Sequence, residues 1–227
     1  MTDAKFNLVI IPTRGRPENA ERAVKAIQEH SYISDVCLGL DTDDEHNYPR
    51  LDGVIYEVSD RAYMIATLNK IATKYADKYL FITFLGDDNV VKTPAWDVAL
   101  TTKIAEKGYG IAYGNDLIHG EKLPTSVMMT TNIIKHLGYM VPKTFTHLYA
   151  DNFWRVLGYE LGALYYYPNV IWEHLHFING KAEKDALYTE INSDEMYAKD
   201  RKAFEDYVNK KLKKDVKKLK KALNVKL

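Results

Sequence analysis

The chain has 227 residues, 31 basic and 31 acidic side chains, 46% hydrophobic residues and one cysteine. It is long enough for one sizeable α/β domain with a real core. Its zero net charge excludes a polyanion-binding reading from overall charge, and Cys37 alone excludes an intrachain disulfide framework or a cysteine-based zinc site. Together with the lack of a signal-peptide or membrane-length apolar run, this gives the expectation of a cytoplasmic protein. The 17 tyrosines suit a sugar- or base-binding surface without specifying one.

Residues 6–12 read as a buried strand ended by Pro12. The polar turn 13–19 follows, with Pro17 placed for the first turn of a helix. Ala20, Ala23, Val24 and Ile27 then recur at helical spacing up to about His30. A second strand over 36–40 enters the acidic loop 41–46, and 54–58 reads as a short third strand. Ala62, Ile65, Leu68, Ile71, Ala72 and Tyr75 mark an amphipathic helix. The run 79–85 is almost unbroken apolar sequence, as expected of a strand buried on both faces of a parallel sheet. It ends at Gly86-Asp87-Asp88-Asn89. Residues 93–104 read as another helix, opened by Thr93-Pro94-Ala95-Trp96. The alternation predicts a mostly parallel, doubly wound sheet with helical crossovers.

The second half is less regular. Strand-like stretches lie at 110–116, 125–130, 163–168 and 170–172, and short helices at 132–137 and 151–157. From about Ser193 the chain reads as one or two helices. Phe204, Val208, Leu212, Val216, Leu219 and Leu223 form one stripe, and Lys210, Lys211, Lys213, Lys214, Lys217, Lys218, Lys220 and Lys221 cover the other faces.

Ligand sites in open α/β sheets lie outside the carboxyl ends of strands. Asp87 and Asp88 end the central strand, Arg14 and Arg16 follow the first, and Asp41 follows the second. Two adjacent carboxylates repel each other and call for a cation, for which a hard divalent ion is suited. The alternative is a solvated turn, since Gly-Asp-Asp-Asn is also turn chemistry. Asp43 and Asp44 are read as a solvated loop. A guanidinium beside a diphosphate site is useful chemistry, although Arg14 and Arg16 equally serve solubility.

From about Asn7 to Trp96 the chain resembles the nucleotide-binding half of a GT-A glycosyltransferase of the family 2 type. The resemblance rests on the first strand entering Ile11-Pro12-Thr13-Arg14, on Asp41, and on the helix over 61–75. That helix leads to the Asp-x-Asp-like Gly86-Asp87-Asp88, with Pro94-Ala95-Trp96 beyond. It implies a GT-A fold, a nucleotide half at about 1–97, an acceptor half at about 98–192 and a lysine-rich helical segment at 193–227. It further implies that Asp41 contacts the nucleobase, that Pro12, Thr13, Arg14 and Arg61 belong to the nucleotide-sugar site, and that Asp88 holds Mn²⁺ or Mg²⁺. The family's first Asp aligns with Gly86, which leaves Asp87 between ribose contact and metal ligation.

More loosely, 132–139 resembles the acceptor-side helix, and Tyr149-Ala150-Asp151-Asn152-Phe153-Trp154-Arg155 resembles the segment carrying the catalytic base, here Asp151. Asp151 also reads as a helix N-cap. The segment 168–174 resembles the closing strand whose His completes the metal site, with His174 and His176 as competitors. A packed or hydrogen-bonded role is the usual one for a strand histidine.

The resemblance implies an inverting transfer from a nucleoside-diphosphate sugar, a UDP-sugar, to an acceptor hydroxyl. Size and layout resemble bacteriophage enzymes that glycosylate hydroxymethylated pyrimidines in DNA, which makes DNA a partner and the host cytoplasm the location. The alternatives are transfer to a cell-surface or lipid-linked glycan with the lysine helix on an anionic membrane surface, a sugar-phosphate nucleotidyltransferase, and a non-catalytic nucleotide- or glycan-binding module.

Overall fold

The computed structural model describes residues 5–224; Met1–Ala4 and the last three residues of the expected lysine-rich segment lie outside the described residues. The first strand, β1 (Lys5–Pro12), carries Leu8, Val9, Ile10 and Ile11, all without solvent exposure. Each such side chain contributes roughly 1.5–3 kcal/mol by leaving water. Helix α1 (Pro17–His30) starts on its proline and turns Ala20, Ala23, Val24 and Ile27 inward. Strands β2 (Ser34–Asp41) and β3 (Val54–Ser59), helix α2 (Tyr63–Tyr75) and strand β4 (Tyr79–Phe84) follow. Then come β5 (Asn89–Val91), α3 (Trp96–Lys107), β6 (Ile111–Asn115), β7 (Val127–Thr130), α4 (Thr131–Leu137), α5 (Ala150–Glu160) and β8 (Leu164–His174). Three C-terminal helices close the order: α6 (Ala186–Ile191), α7 (Asp194–Lys210) and α8 (Leu212–Ala222).

The eight strands lie in the order β3-β2-β1-β4-β7-β6-β8-β5. The run β3-β2-β1-β4 is parallel, as is β6-β8. Strand β7 is antiparallel to both its neighbours, and β5 is antiparallel to β8. The expected mostly parallel α/β sheet is therefore present, with β4 near its middle and reversed strands confined to the second half. Two strand-like stretches at 163–168 and 170–172 are one strand, whose register against β6 shifts between Tyr113 and Asn115. The short β5 was not anticipated. It pairs Asn89 with His174 and Val91 with Trp172, folding the residues after Asp88 onto the end of β8.

Helix α3 starts at Trp96 rather than Thr93, because Ala95 takes a left-handed φ of 54°. The C-terminal stripe is divided between α7 and α8, which part at Lys211. Leu212, Val216 and Leu219 are buried, and α8 lies against α4 and α5. Asp215, also buried, accepts hydrogen bonds from Tyr139 and Tyr207.

Asp97, fully buried at the head of α3, accepts from the Tyr32, Ile33 and Val98 N–H groups and the Ser34 hydroxyl. It ties the α1–β2 connection to α3. Asp97→Ala leaves these donors unpaired and is expected to cost about 2–4 kcal/mol. Urea denaturation should show a lower midpoint with an unchanged m-value.

Candidate functional site

One cleft, of about 290 Å³, opens at the carboxyl ends of β1, β2 and β4. It is lined by every expected site residue: Pro12, Thr13, Arg14, Asp41, Arg61, Asp87, Asp88, Asp151, His174 and His176.

The loop after β1 is organised by carboxylates. Arg14 donates to Asp41 at 2.8 Å and to both oxygens of Asp43 at 2.6 and 2.8 Å. The Gly15 N–H donates to Asp44 at 2.6 Å. The solvated-loop reading fails for Asp44, which is buried and also accepts from Asn47. Asp43 is exposed, yet its carboxylate is held by Arg14.

Asp87 is buried and accepts from the Thr13 hydroxyl at 2.6 Å, with Arg16 Nη1 at 3.4 Å. Burial and then the charge of Asp88 push its carboxyl well above the ordinary range, against Arg16 and Thr13. For Asp88 burial acts in the same direction, but a hydrogen bond and charge from His174 outweigh it and hold the carboxyl below the ordinary range. His174 Nε2 stands 3.2 Å from Asp88 Oδ2. Burial disfavours the His174 imidazolium, and Asp88 more than compensates, so the imidazole sits above its ordinary value. Gly86 leaves room for this carboxylate: a Cβ there would meet Asp88 Oδ1 at 2.5 Å.

Two adjacent ligands of an octahedral ion with bonds of about 2.1 Å stand about 3.0 Å apart. The Asp88–His174 spacing fits such an edge. Among the described residues no group of three His, Cys, Asp or Glu is arranged to hold a metal. Asp88 and His174 are the adjacent pair in the cleft that could ligate a hard divalent ion. The His176 ring lies 5.1 Å from that of His174, 4.5 Å from Phe177 and 5.5 Å from Tyr188.

Asp151 lies in the first turn of α5, but the N-cap position belongs to Tyr149, so the capping alternative does not hold. Its Oδ1 accepts the Asn152 N–H at 2.7 Å. Burial raises its carboxyl above the ordinary range, and the Asn152 N–H pulls the other way. His147 lines the same cleft, and burial pushes its imidazole down to about 4.

The mouth of the cleft is crossed by α6. Arg16 forks onto Asp185 at 2.6 and 2.9 Å, and Arg61 and Tyr63 donate to Glu190. Leu187, Tyr188, Ile191 and Asn192 join the lining. Sequence reading missed α6 and His147, for which no local pattern exists. Arg16 had a signal, two residues from Arg14 in the same loop.

No family model and no curated protein matches this sequence. Solved structures do match in fold. The mannosyltransferase PcManGT from Pyrobaculum calidifontis, in complex with GDP-Man and Mn²⁺, has a TM-score of 0.56 at 12% identity, over 97% of this chain and 74% of that one. TarS from S. aureus has a TM-score of 0.55 at 11% identity, over 74% of this chain and 36% of that one. Rv0371C from Mycobacterium tuberculosis, in complex with manganese, has a TM-score of 0.52 at 11% identity, over 78% and 95%. The chain thus spans about a third of TarS. The fold is the GT-A fold.

A carboxyl raised on folding contributes stability below its unfolded pKa, about 3.9, which is lost as pH rises through the folded value. At pH 7 the Asp151 carboxylate is therefore a net cost to the fold. Asp151→Asn is expected to raise Tm at pH 7, by about 2–4 °C for each kcal/mol relieved. The gain should vanish below pH of about 3.9. Thermal melts across pH check this, and an unchanged Tm at pH 7 contradicts the buried charge.

Proposed function

We propose that the chain is a metal-dependent glycosyltransferase that moves a sugar from a nucleoside-diphosphate sugar, with UDP as the nucleotide, to an acceptor hydroxyl. The observation that carries this is the meeting of Asp87, Asp88, His174 and Asp151 in one cleft bordered by arginines. The GDP-Man and Mn²⁺ bound by the mannosyltransferase neighbour support the donor class and the metal.

In this reading Asp41 contacts the nucleobase, Pro12 and Thr13 border base and ribose, and Asp87 takes the ribose. Arg14, paired with Asp41, borders base and ribose with them, and Arg61 completes the nucleotide-sugar side, where a guanidinium can pair two oxygens at once. Asp88 and His174 would hold Mn²⁺ or Mg²⁺, with His176 beside them, and the ion would supply charge stabilisation for the departing nucleoside diphosphate. A ligating imidazole is unprotonated, so His174 would have to give up its proton to serve. Asp151 accepts the proton of the acceptor hydroxyl as that oxygen attacks the anomeric carbon. Its raised basicity suits a general base. A single displacement with one base inverts the anomeric centre.

A sugar-phosphate nucleotidyltransferase ranks lower, because the β1 loop is built from Arg–Asp pairs rather than from a glycine-rich, lysine-bearing turn. Calorimetry with UDP, with and without Mn²⁺, tests the donor assignment. Metal-dependent binding that Asp88→Ala abolishes is the expected result, and binding indifferent to both overturns it. Asp151→Asn is expected to keep UDP affinity and lower turnover by about 10²-fold or more. Unchanged turnover removes Asp151 as the base, and no turnover with any donor leaves a binding module.

One observation bears on the acceptor. The apolar stripe of α8 is spent on the body of the domain, so the helix has no free apolar face to lay into lipid. Lys213, Lys214, Lys217, Lys218, Lys220 and Lys221 have no ion-pair partner among the described residues. This supports a polyanionic acceptor, with the hydroxyl on a 5-hydroxymethylpyrimidine in DNA, over a lipid-linked glycan. Hydroxymethylcytosine and hydroxymethyluracil duplexes, offered with a panel of UDP-sugars and digested for mass spectrometry, should yield a glycosylated nucleoside. DNA affinity should fall linearly in log–log form with salt, with a slope of about 0.9 per lysine–phosphate contact. Binding to anionic vesicles with no sugar on any base points to the membrane instead.

A further inference from the structure

The segment that delivers Asp151 is gripped by one face of α7. Asp200 has no solvent exposure, and its carboxylate accepts three consecutive backbone N–H groups: Thr146 at 2.9 Å, His147 at 2.8 Å and Leu148 at 2.7 Å. No lysine or arginine pairs with it among the described residues, so these N–H groups are its compensation for burial. One residue on, Tyr149 takes a left-handed φ of 65°, a costly conformation for a residue with a side chain. Its ring stacks on Phe204 at 5.6 Å, and its hydroxyl accepts from Arg201 Nε at 3.2 Å. Tyr207 continues the same face and packs on Phe145 and on Phe153 of α5.

We propose that Asp200, with Phe204, is a positioning residue for Asp151: α7 clamps the strained turn at 146–149 and thereby sets where the first turn of α5 presents its carboxylate. The proposal rests on the reading of Asp151 as general base. The geometry carries it in two steps. A left-handed tyrosine persists only where its surroundings over-determine it, and here the surroundings are the carboxylate before it and the aromatic ring beneath it. Asp151 then follows Tyr149 by two residues with only Ala150 between, which leaves the chain little freedom to absorb a shift of the turn. Displacement of a reacting group by about 1 Å is enough to cost on the order of 10²-fold in rate.

The test needs no turnover. Titration of the full-length protein labelled with ¹³C at aspartate Cγ gives the pKa of Asp151, its resonance assigned by its loss in Asp151→Asn. Asp200→Glu and Phe204→Leu both conserve charge, so neither changes the field at Asp151 by removing one. In each, the Asp151 titration is expected to move down from its raised position toward about 3.9, because the carboxyl leaves its buried setting. Circular dichroism should show the helices retained. Asp200→Asn is expected to move it in the same direction, and where that variant does not fold, the two charge-conserving ones decide. A wild-type Asp151 titration in both overturns the proposal, as does a shift confined to Asp200→Asn, which marks a field effect alone. These outcomes are read apart from the Asp151→Asn kinetics, which test the base assignment.

Discussion

A buried carboxylate, Asp87, followed directly by a half-buried one, Asp88, imposes the main constraint on this molecule. Each charge disfavours the other, and the Asp88 charge adds to burial in raising the Asp87 carboxyl, so the pair calls for cations. The cations come from distant parts of the chain. Arg16 follows β1 and reaches Asp87, whereas His174 ends β8 and reaches Asp88. The three-residue β5, through its pairing with β8, is what brings the second cation into place. Sheet order and site chemistry are therefore linked at one point, the turn after β4, where a Cβ on Gly86 would press on the Asp88 carboxylate in its present rotamer.

What was legible in the sequence was whatever depends on local pattern. Strands β1 and β4 are buried on both faces and so write themselves as continuous apolar runs. The residues just past β1, β2 and β4 were legible as site residues because parallel strands bring those ends to one edge. Residues whose role depends on distant partners were not legible. Asp44 looked like any acid in a polar loop, but its partner is a backbone N–H of Gly15 in the loop after β1. His174 and His176 sit on the same face in sequence terms, but β8 ends at His174, which pairs with Asn89 and meets Asp88, while His176 lies beyond it among the rings of His174, Phe177 and Tyr188. Asp200 lies 51 positions beyond Tyr149 in the sequence, and nothing near it announces three backbone donors.

The C-terminal helices show how a neutral protein segregates charge. Helix α8 contains a single acid, Asp215, and it faces inward to take the hydroxyls of Tyr139 and Tyr207. Because that acid is spent on docking the helix, the charges α8 turns to solvent are all positive. The same docking fixes the lysine stems to a rigid support that also carries α5. The neighbouring α7 faces the opposite way in function, with its carboxylate and aromatic residues directed at the loop before Asp151.

The contacts of α6 carry a consequence for anything that enters the cleft. Arg16 and Arg61 are each already neutralised, by Asp185 and by Glu190. An anion that claims these guanidinium groups releases carboxylates in exchange, so occupancy is an ion-exchange reaction rather than a simple addition. Its observed affinity is the difference between two sets of ion pairs. A small monoanion replaces one carboxylate and leaves the other in place. The acids that flank the cleft thus compete with any anion for these two guanidinium groups.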